Sequence, residues 1–268
     1  MYRTIRFFDR ITDYALFLFF LGLMLIGAYT MYDTLLIYNA ARGADLRSFR
    51  PVVNEAGAYV WDMSALSEDV VAWLTVDDTN IDYPVLQGID NYEYLTKDPF
   101  GKYSLSGSIF LDFRNAPDFT DPYSLIYGHH MEYGQMFGAL DEFLDEEYFD
   151  SHRTGKLVVG YRVHPLEFFA SVEADASTKE IFAPTQVEAE ETLEYVRENA
   201  TVWREPTGER LIALSTCKFP QTSERIIVFG VIKDEEKVPE GSGTPAVNRI
   251  ASIGGSGGYG AAIGADSV

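Results

Sequence analysis

The chain has 268 residues, 47% hydrophobic and 14% aromatic, which allows one sizeable core with appendages. A formal charge of -20 excludes the basic face that nucleic-acid binding requires and suits a solvated extracytoplasmic surface. One cysteine, Cys217, excludes an intramolecular disulfide and a paired-cysteine metal site.

At the N-terminus Arg3, Arg6 and Arg10 precede an uncharged stretch, Tyr14 to Tyr32, rich in Leu, Phe and Met. As a helix it spans about 28 Å, close to the hydrocarbon thickness of a bilayer. Tyrosines near both ends fit interfacial belts, and the positive-inside rule puts residues 1–13 in the cytoplasm. Residues 14–32 are then a single-pass cell-membrane anchor, with everything after them extracytoplasmic. Arg42, Arg47 and Arg50 on the far side count against this orientation. A cleaved signal peptide fits less well, because the apolar run is long and no small-residue cleavage site follows before Ala40.

Residues 33–62 read as a stalk and 63–235 as the folded domain. Ser64 to Leu74 has helical spacing of Leu66, Val70, Trp73 and Leu74, which predicts a short amphipathic helix. Short β-branched or aromatic runs follow at Ile81–Leu86, Gly107–Asp112, Tyr123–Tyr127, Lys156–Val163, Leu166–Val172, Leu211–Thr216 and Ile226–Ile232. Gly, Pro, Asn and Asp punctuate them, and His164-Pro165 reads as a hairpin turn. Two helices interrupt the strands. One runs from Gln135 to about Ser151; the other, Thr185 to Asn199, opens with Thr185 and Glu188 in capping-box spacing. The fold class is therefore mainly β with inserted helices (α+β), a closed or nearly closed mixed barrel of seven to eight strands preceded by N-terminal helices and the transmembrane helix. Residues 236–268 read as a disordered tail, rich in Gly and Ser.

Cys217 ends an apolar strand, and Arg225 opens the next apolar run. Antiparallel pairing around the short loop places the two opposite each other, and a cation beside a thiol favours the nucleophilic thiolate. Such a thiol needs a partner that titrates near neutrality, which points to histidine. His152 follows an acidic helix and His164 precedes a proline, both bystander settings. His129 and His130 stand at a strand end behind Gly128. Neighbours in extended chain point opposite ways, so only one of the pair faces Cys217, and the residues themselves do not say which. The acidic clusters Asp141-Glu142 and Asp145-Glu146-Glu147 lack the spacing of a calcium loop and read as a solvated helix face. A papain-like arrangement is disfavoured, since its glycine-rich signatures are absent.

The run Leu214-Ser215-Thr216-Cys217 with Arg225 after it, and Tyr127-Gly128-His129-His130 before it, resembles the sortases, cysteine transpeptidases of Gram-positive surfaces. Asn80-Ile81-Asp82-Tyr83-Pro84-Val85, Gln87-Gly88, Asp90-Asn91, Gly107-Ser108-Ile109-Phe110-Leu111-Asp112 and Arg114-Asn115 are similar to class B. The family pattern usually begins with Thr where this chain has Ala213, which removes one hydroxyl and no catalytic side chain. The resemblance covers about Ser64 to Lys233. It implies Cys217 as nucleophile, His129 (the histidine directly after the glycine) as acid–base, and Arg225 as the third catalytic residue. Tyr127, Asn91, Leu95, Ser215 and Thr216 are implied to bind substrate, with no metal and no cofactor. The implied partners are secreted proteins bearing a C-terminal sorting signal, cleaved after Thr through a thioester, and a peptidoglycan precursor or cross-bridge amine. A pilin-polymerising enzyme using a pilin lysine, or a non-catalytic relative that binds sorting signals, are the alternatives.

Overall fold

The computed structural model describes residues 2–41, 46–54, 59–217 and 223–234. The proposed tail lies outside these. Helix α1, Tyr2–Ala41, contains a stretch, Arg10–Leu36, long and apolar enough to cross a membrane, and it is not buried against the rest of the protein. Beyond it Leu46 and Trp61 are buried, Trp61 edge-on against Trp73, and Arg50 Nε lies 3.3 Å from Asp82. The 33–62 segment thus packs in part onto the domain. It includes the small antiparallel pair β1, Val52–Val53, and β2, Tyr59–Val60.

The main sheet comprises β3 (Val70–Val76), β4 (Asp82–Leu86), β5 (Ile109–Leu111), β6 (Tyr123–Tyr127), β7 (Thr154–Val159), β8 (Arg162–Asp175), β9 (Ala200–Trp203), β10 (Leu211–Cys217) and β11 (Glu224–Ile232). Their order is β11-β10-β6-β5-β4-β3-β7-β8-β9, and β11 also pairs with β8. That last pairing closes eight strands into a barrel and leaves β9 as an extra edge on β8. The pairs β4–β5 and β6–β10 are parallel and the others antiparallel. The expected closed mixed barrel is therefore present.

Strands β10 and β11 are buried on both faces, which explains their near-continuous apolar sequence. Ile212 and Leu214, with Ile226, Val228 and Ile232, point into the barrel. Leu211, Ala213, Ile227, Phe229 and Val231 point outward. They form a second core under α3 (Lys179–Phe182) and α4 (Ala189–Asn199), which contribute Ile181 and Val196.

Several local expectations are corrected. Val70–Val76 is a strand buried on both faces between β4 and β7, not the end of a helix. A short apolar run has no periodicity that separates the two, and the pairing partners decided. The β7–β8 turn falls at Gly160, whose φ is +60°, so β8 runs straight through His164-Pro165, with Leu157 paired to His164 and Lys156 to Pro165. The predicted 135–151 helix is a 3₁₀ segment, Gly138–Leu144, followed by α2, Glu146–Ser151. Asp145 separates them in an extended conformation, and its carboxylate accepts from Tyr148 N at 2.9 Å as the cap of α2. Helix α4 begins after Glu188, whose side chain makes no cap bond, so the capping box with Thr185 does not form. Neither α3 nor β9 was anticipated.

The closing seam carries a bulge between Phe229 and Gly230 opposite β8. A Cβ on Gly230 would lie 2.9 Å from Phe168 Cδ1 and 3.2 Å from Glu167 O. Gly230→Ala is expected to destabilise the domain by about 1–3 kcal/mol through overpacking, read as a lowered urea midpoint with unchanged slope.

Candidate functional site

The end of β10 joins three distant parts of the chain. In the antiparallel register Cys217 is the backbone partner of Arg225, the juxtaposition expected from the sequence. On its other side β10 runs parallel to β6, with Ser215 level with Tyr127 and Gly128 N donating to Ser215 O at 3.1 Å. The pairing ends there, two residues short of His129 on one strand and of Cys217 on the other. The Cys217 side chain and residues 218–222 lie outside the described residues.

Gly128 is required where it stands. A Cβ there would meet Ile109 Cδ1 at 2.5 Å and the Phe137 ring at 2.7 Å. His129 follows with its carbonyl accepting from Phe137 N at 3.0 Å and its Nε2 2.8 Å from Leu95 O. A carbonyl only accepts, so Nε2 carries the proton and Nδ1 is the nitrogen left for exchange. His130 diverges, as alternation in extended chain requires. Its Nε2 lies 2.7 Å from Asp141 Oδ2 on the 3₁₀ segment. His152 stacks on Tyr148 with Nδ1 at 2.8 Å from Tyr148 O, and His164 Nδ1 lies 3.2 Å from Lys233 O. Both are half-buried and engaged with carbonyls rather than solvent-exposed.

Arg225 is half-buried, and its Nη1 donates to Glu224 O at 3.2 Å. Across β11, Asp175 has a carboxyl lowered to about 2 by hydrogen bonds from Ser177 and Ser223, with a smaller contribution from the Arg225 charge. Ser215 and Thr216 are buried, and their hydroxyls have no hydrogen-bond partner among the described residues.

The remaining expected residues, Asn91 and Tyr127, meet on one carboxylate that the sequence reading had not assigned to the site. Asp112, fully buried just past β5, accepts on Oδ2 from Asn91 Nδ2 (2.8 Å), the Tyr127 hydroxyl (3.0 Å) and Arg114 Nη2 (2.7 Å). Its Oδ1 accepts from Arg114 Nε (2.8 Å) and Arg114 N (3.0 Å). Arg114 Nη2 also donates to Phe182 O at 2.7 Å, and the Phe182 ring stacks on Tyr127. Burial alone would raise the Asp112 carboxyl; the Arg114 and Asn91 hydrogen bonds outweigh it and hold the group below the usual carboxylate range. Burial, then the Asp112 charge, pushes the Tyr127 phenol up, so it stays a donor. In the sequence Asp112 and Arg114 stood out only as part of the runs that resemble class B and as a charged pair after an apolar strand, with no role assigned; Phe182 had no signal.

Two outcomes follow from this geometry. Gly107 has φ +58°, and a Cβ there would fall 2.6 Å from Leu95 O and 3.0 Å from His129 Cδ2. Histidine ¹⁵N spectra at alkaline pH should show His129 protonated at Nε2 alone, and Gly107→Ala should mix the tautomers by moving the Leu95 carbonyl. Because the folded Asp112 value is depressed, its stabilisation is complete above the unfolded carboxylate range and disappears as pH falls through the folded value. In thermal melts wild type should therefore exceed Asp112→Asn by about 3 kcal/mol at neutral pH, the gap closing below about pH 4.

The Sortase domain profile matches residues 74–233, more than half of the chain. Sortase B of Listeria monocytogenes is 35% identical over 176 residues, covering 63% of this chain and 72% of that protein. A Streptococcus pyogenes class B sortase involved in pilus biogenesis superposes with a TM-score of 0.59 at 40% identity, over 64% of this chain and 96% of its own. A sortase B from the type II pilus of Streptococcus pneumoniae gives 0.52 at 38% identity, over 62% and 93%. A match that spans both strands of the Cys217–Arg225 pair and the barrel from the middle of β3 onward is a match of the working domain, and the chain accordingly belongs to the sortase family, as a cysteine transpeptidase of class B.

Proposed function

We propose that this sortase is held in the cell membrane by α1, with residues 1–13 cytoplasmic and the barrel outside, and joins secreted proteins to the cell wall. The observation that carries the reading is the double register of β10, which sets Cys217 opposite Arg225 on one side and Ser215 level with Tyr127, two residues before His129, on the other. The arginines before the apolar stretch support the orientation.

In the first half-reaction the Cys217 thiolate adds to the carbonyl carbon of Thr in a C-terminal sorting signal. The oxyanion of the tetrahedral intermediate lies beside Arg225, whose guanidinium stays charged at any working pH. The C–N bond then breaks, and His129, protonated, gives a proton from Nδ1 to the departing amine while Nε2 keeps its bond to Leu95 O. The product is a thioester on Cys217. In the second half-reaction a peptidoglycan cross-bridge amine attacks the thioester, His129 takes its proton, and the C–S bond breaks to regenerate the thiolate. Every proton given is recovered, so the cycle needs no cofactor.

A second reading has its own support. Of the two solved relatives described above, one is involved in pilus biogenesis and the other is from a type II pilus, and they are 40% and 38% identical to this chain. Under that reading the resolving amine is a pilin lysine.

The full chain in detergent, incubated with a fluorogenic library of sorting pentapeptides, should cleave one motif after Thr. Cys217→Ala should abolish cleavage, and His129→Ala or Arg225→Ala should lower kcat/KM at least about a hundredfold. Because thiol and imidazole must be in opposite charge states, the wild-type rate should be bell-shaped in pH. A cross-bridge peptide accelerating turnover supports wall anchoring; a pilin peptide doing so instead supports polymerisation. No cleavage of any motif by folded protein would leave a sorting-signal binder.

A further inference from the structure

Three segments far apart in sequence converge on the Asp112–Arg114 pair, and none of them is a strand neighbour of the other two. The first is the turn containing Asn91, whose Nδ2 donates to Asp112 and whose Oδ1 accepts from Phe113 N at 3.0 Å. That turn leads into the 3₁₀ segment Glu93–Leu95, whose last carbonyl meets His129 Nε2. The second is the end of β6, where Tyr127 donates to Asp112 two residues before His129. The third is α3, whose last residue, Phe182, receives Arg114 Nη2 on its carbonyl and lays its ring on Tyr127, centroids 6.5 Å apart. We propose that Asp112 and Arg114 are positioning residues: they hold the Tyr127 wall and the Phe182 wall beside His129 at a fixed separation and so set the affinity for the peptide substrate. The inference rests on the transpeptidase reading above and extends it to residues that do not touch the reacting atoms.

The chemistry of the pair suits that work. Asp112 is fully buried and takes five donors, so its charge is satisfied and each donor's direction is fixed. Only a planar guanidinium can grip both carboxylate oxygens and still donate sideways to the Phe182 carbonyl. Asn91 commits its carbonyl oxygen to Phe113 N and one amide hydrogen to Asp112, which braces the turn.

The test uses the full chain in detergent with the best-cleaved pentapeptide of the library. Arg114→Lys keeps the charge but lacks the fork. It should raise KM about tenfold with kcat within about threefold of wild type. Amide exchange should quicken at residues 179–183 and 91–95 while β10 and β11 stay protected. Unchanged KM and unchanged exchange at 179–183 would overturn the proposal, as would a fall in kcat at unchanged KM, which would place Arg114 in the chemical step. Should Arg114→Lys fail to fold, Tyr127→Phe keeps the ion pair and carries the same test, with an expected KM rise of about threefold. If wild type cleaves no pentapeptide, the transpeptidase reading fails, whereas exchange at 179–183 still decides whether the pair holds α3.

Discussion

Everything at the site depends on the register of β10. This strand is hydrogen-bonded on both edges, parallel to β6 and antiparallel to β11, and those two registers bring residues 129, 217 and 225 to one end of the barrel. Polarity alone does not choose the register, because both faces of the strand are apolar and buried. Size does. Ile212 pairs with Gly230, whose missing side chain leaves room for Phe168, and small Ala213 faces the outer core while Leu214 fills the barrel. A one-residue slip would exchange the inner and outer sets and move Cys217 out of register with Arg225.

The loops at this end have no ladder of their own, so side chains take over the work of backbone pairing. Asn115 donates to Asp121 and to Tyr123 O and accepts from Leu125 N, all within 3.0 Å. Gln87 donates to the carbonyls of Asp112 and Asn115. With Asp112 these amides stitch the connection between β5 and β6 to β4 and to the strand that delivers His129. A buried carboxylate is costly unless every lone pair finds a donor, and here the donors come from the segments that must be aligned. The same arrangement that satisfies the charge therefore aligns those segments.

The charged surface is organised more loosely. Acidic residues after β6 have local partners: Asp145 caps α2, Glu146 and Asp150 bind Arg204, and Asp141 meets His130. These exposed ion pairs contribute little to stability, consistent with a net charge of -20 that serves solubility rather than folding.

The long apolar N-terminal helix, the β-rich class and the pairing of Cys217 with Arg225 were legible because each is written in consecutive residues or across a short loop. His129 was narrowed to a pair by its place at a strand end behind Gly128, and the resemblance then chose between the two. The strand at Val70–Val76, the passage of β8 through His164-Pro165, α3 and the edge strand β9 were not legible, because an apolar run carries no mark of its partner. The same holds for Asp112, Arg114 and Phe182, whose association spans the barrel end and the cover of the outer core. Sequence by itself determined which residues are candidates for nucleophile and base and which stretch is apolar enough to cross a membrane, since those are properties of side chains and their near neighbours. Only the tertiary structure decided which of them meet, because hydrogen-bond register and side-chain volume act between segments that the chain order keeps apart.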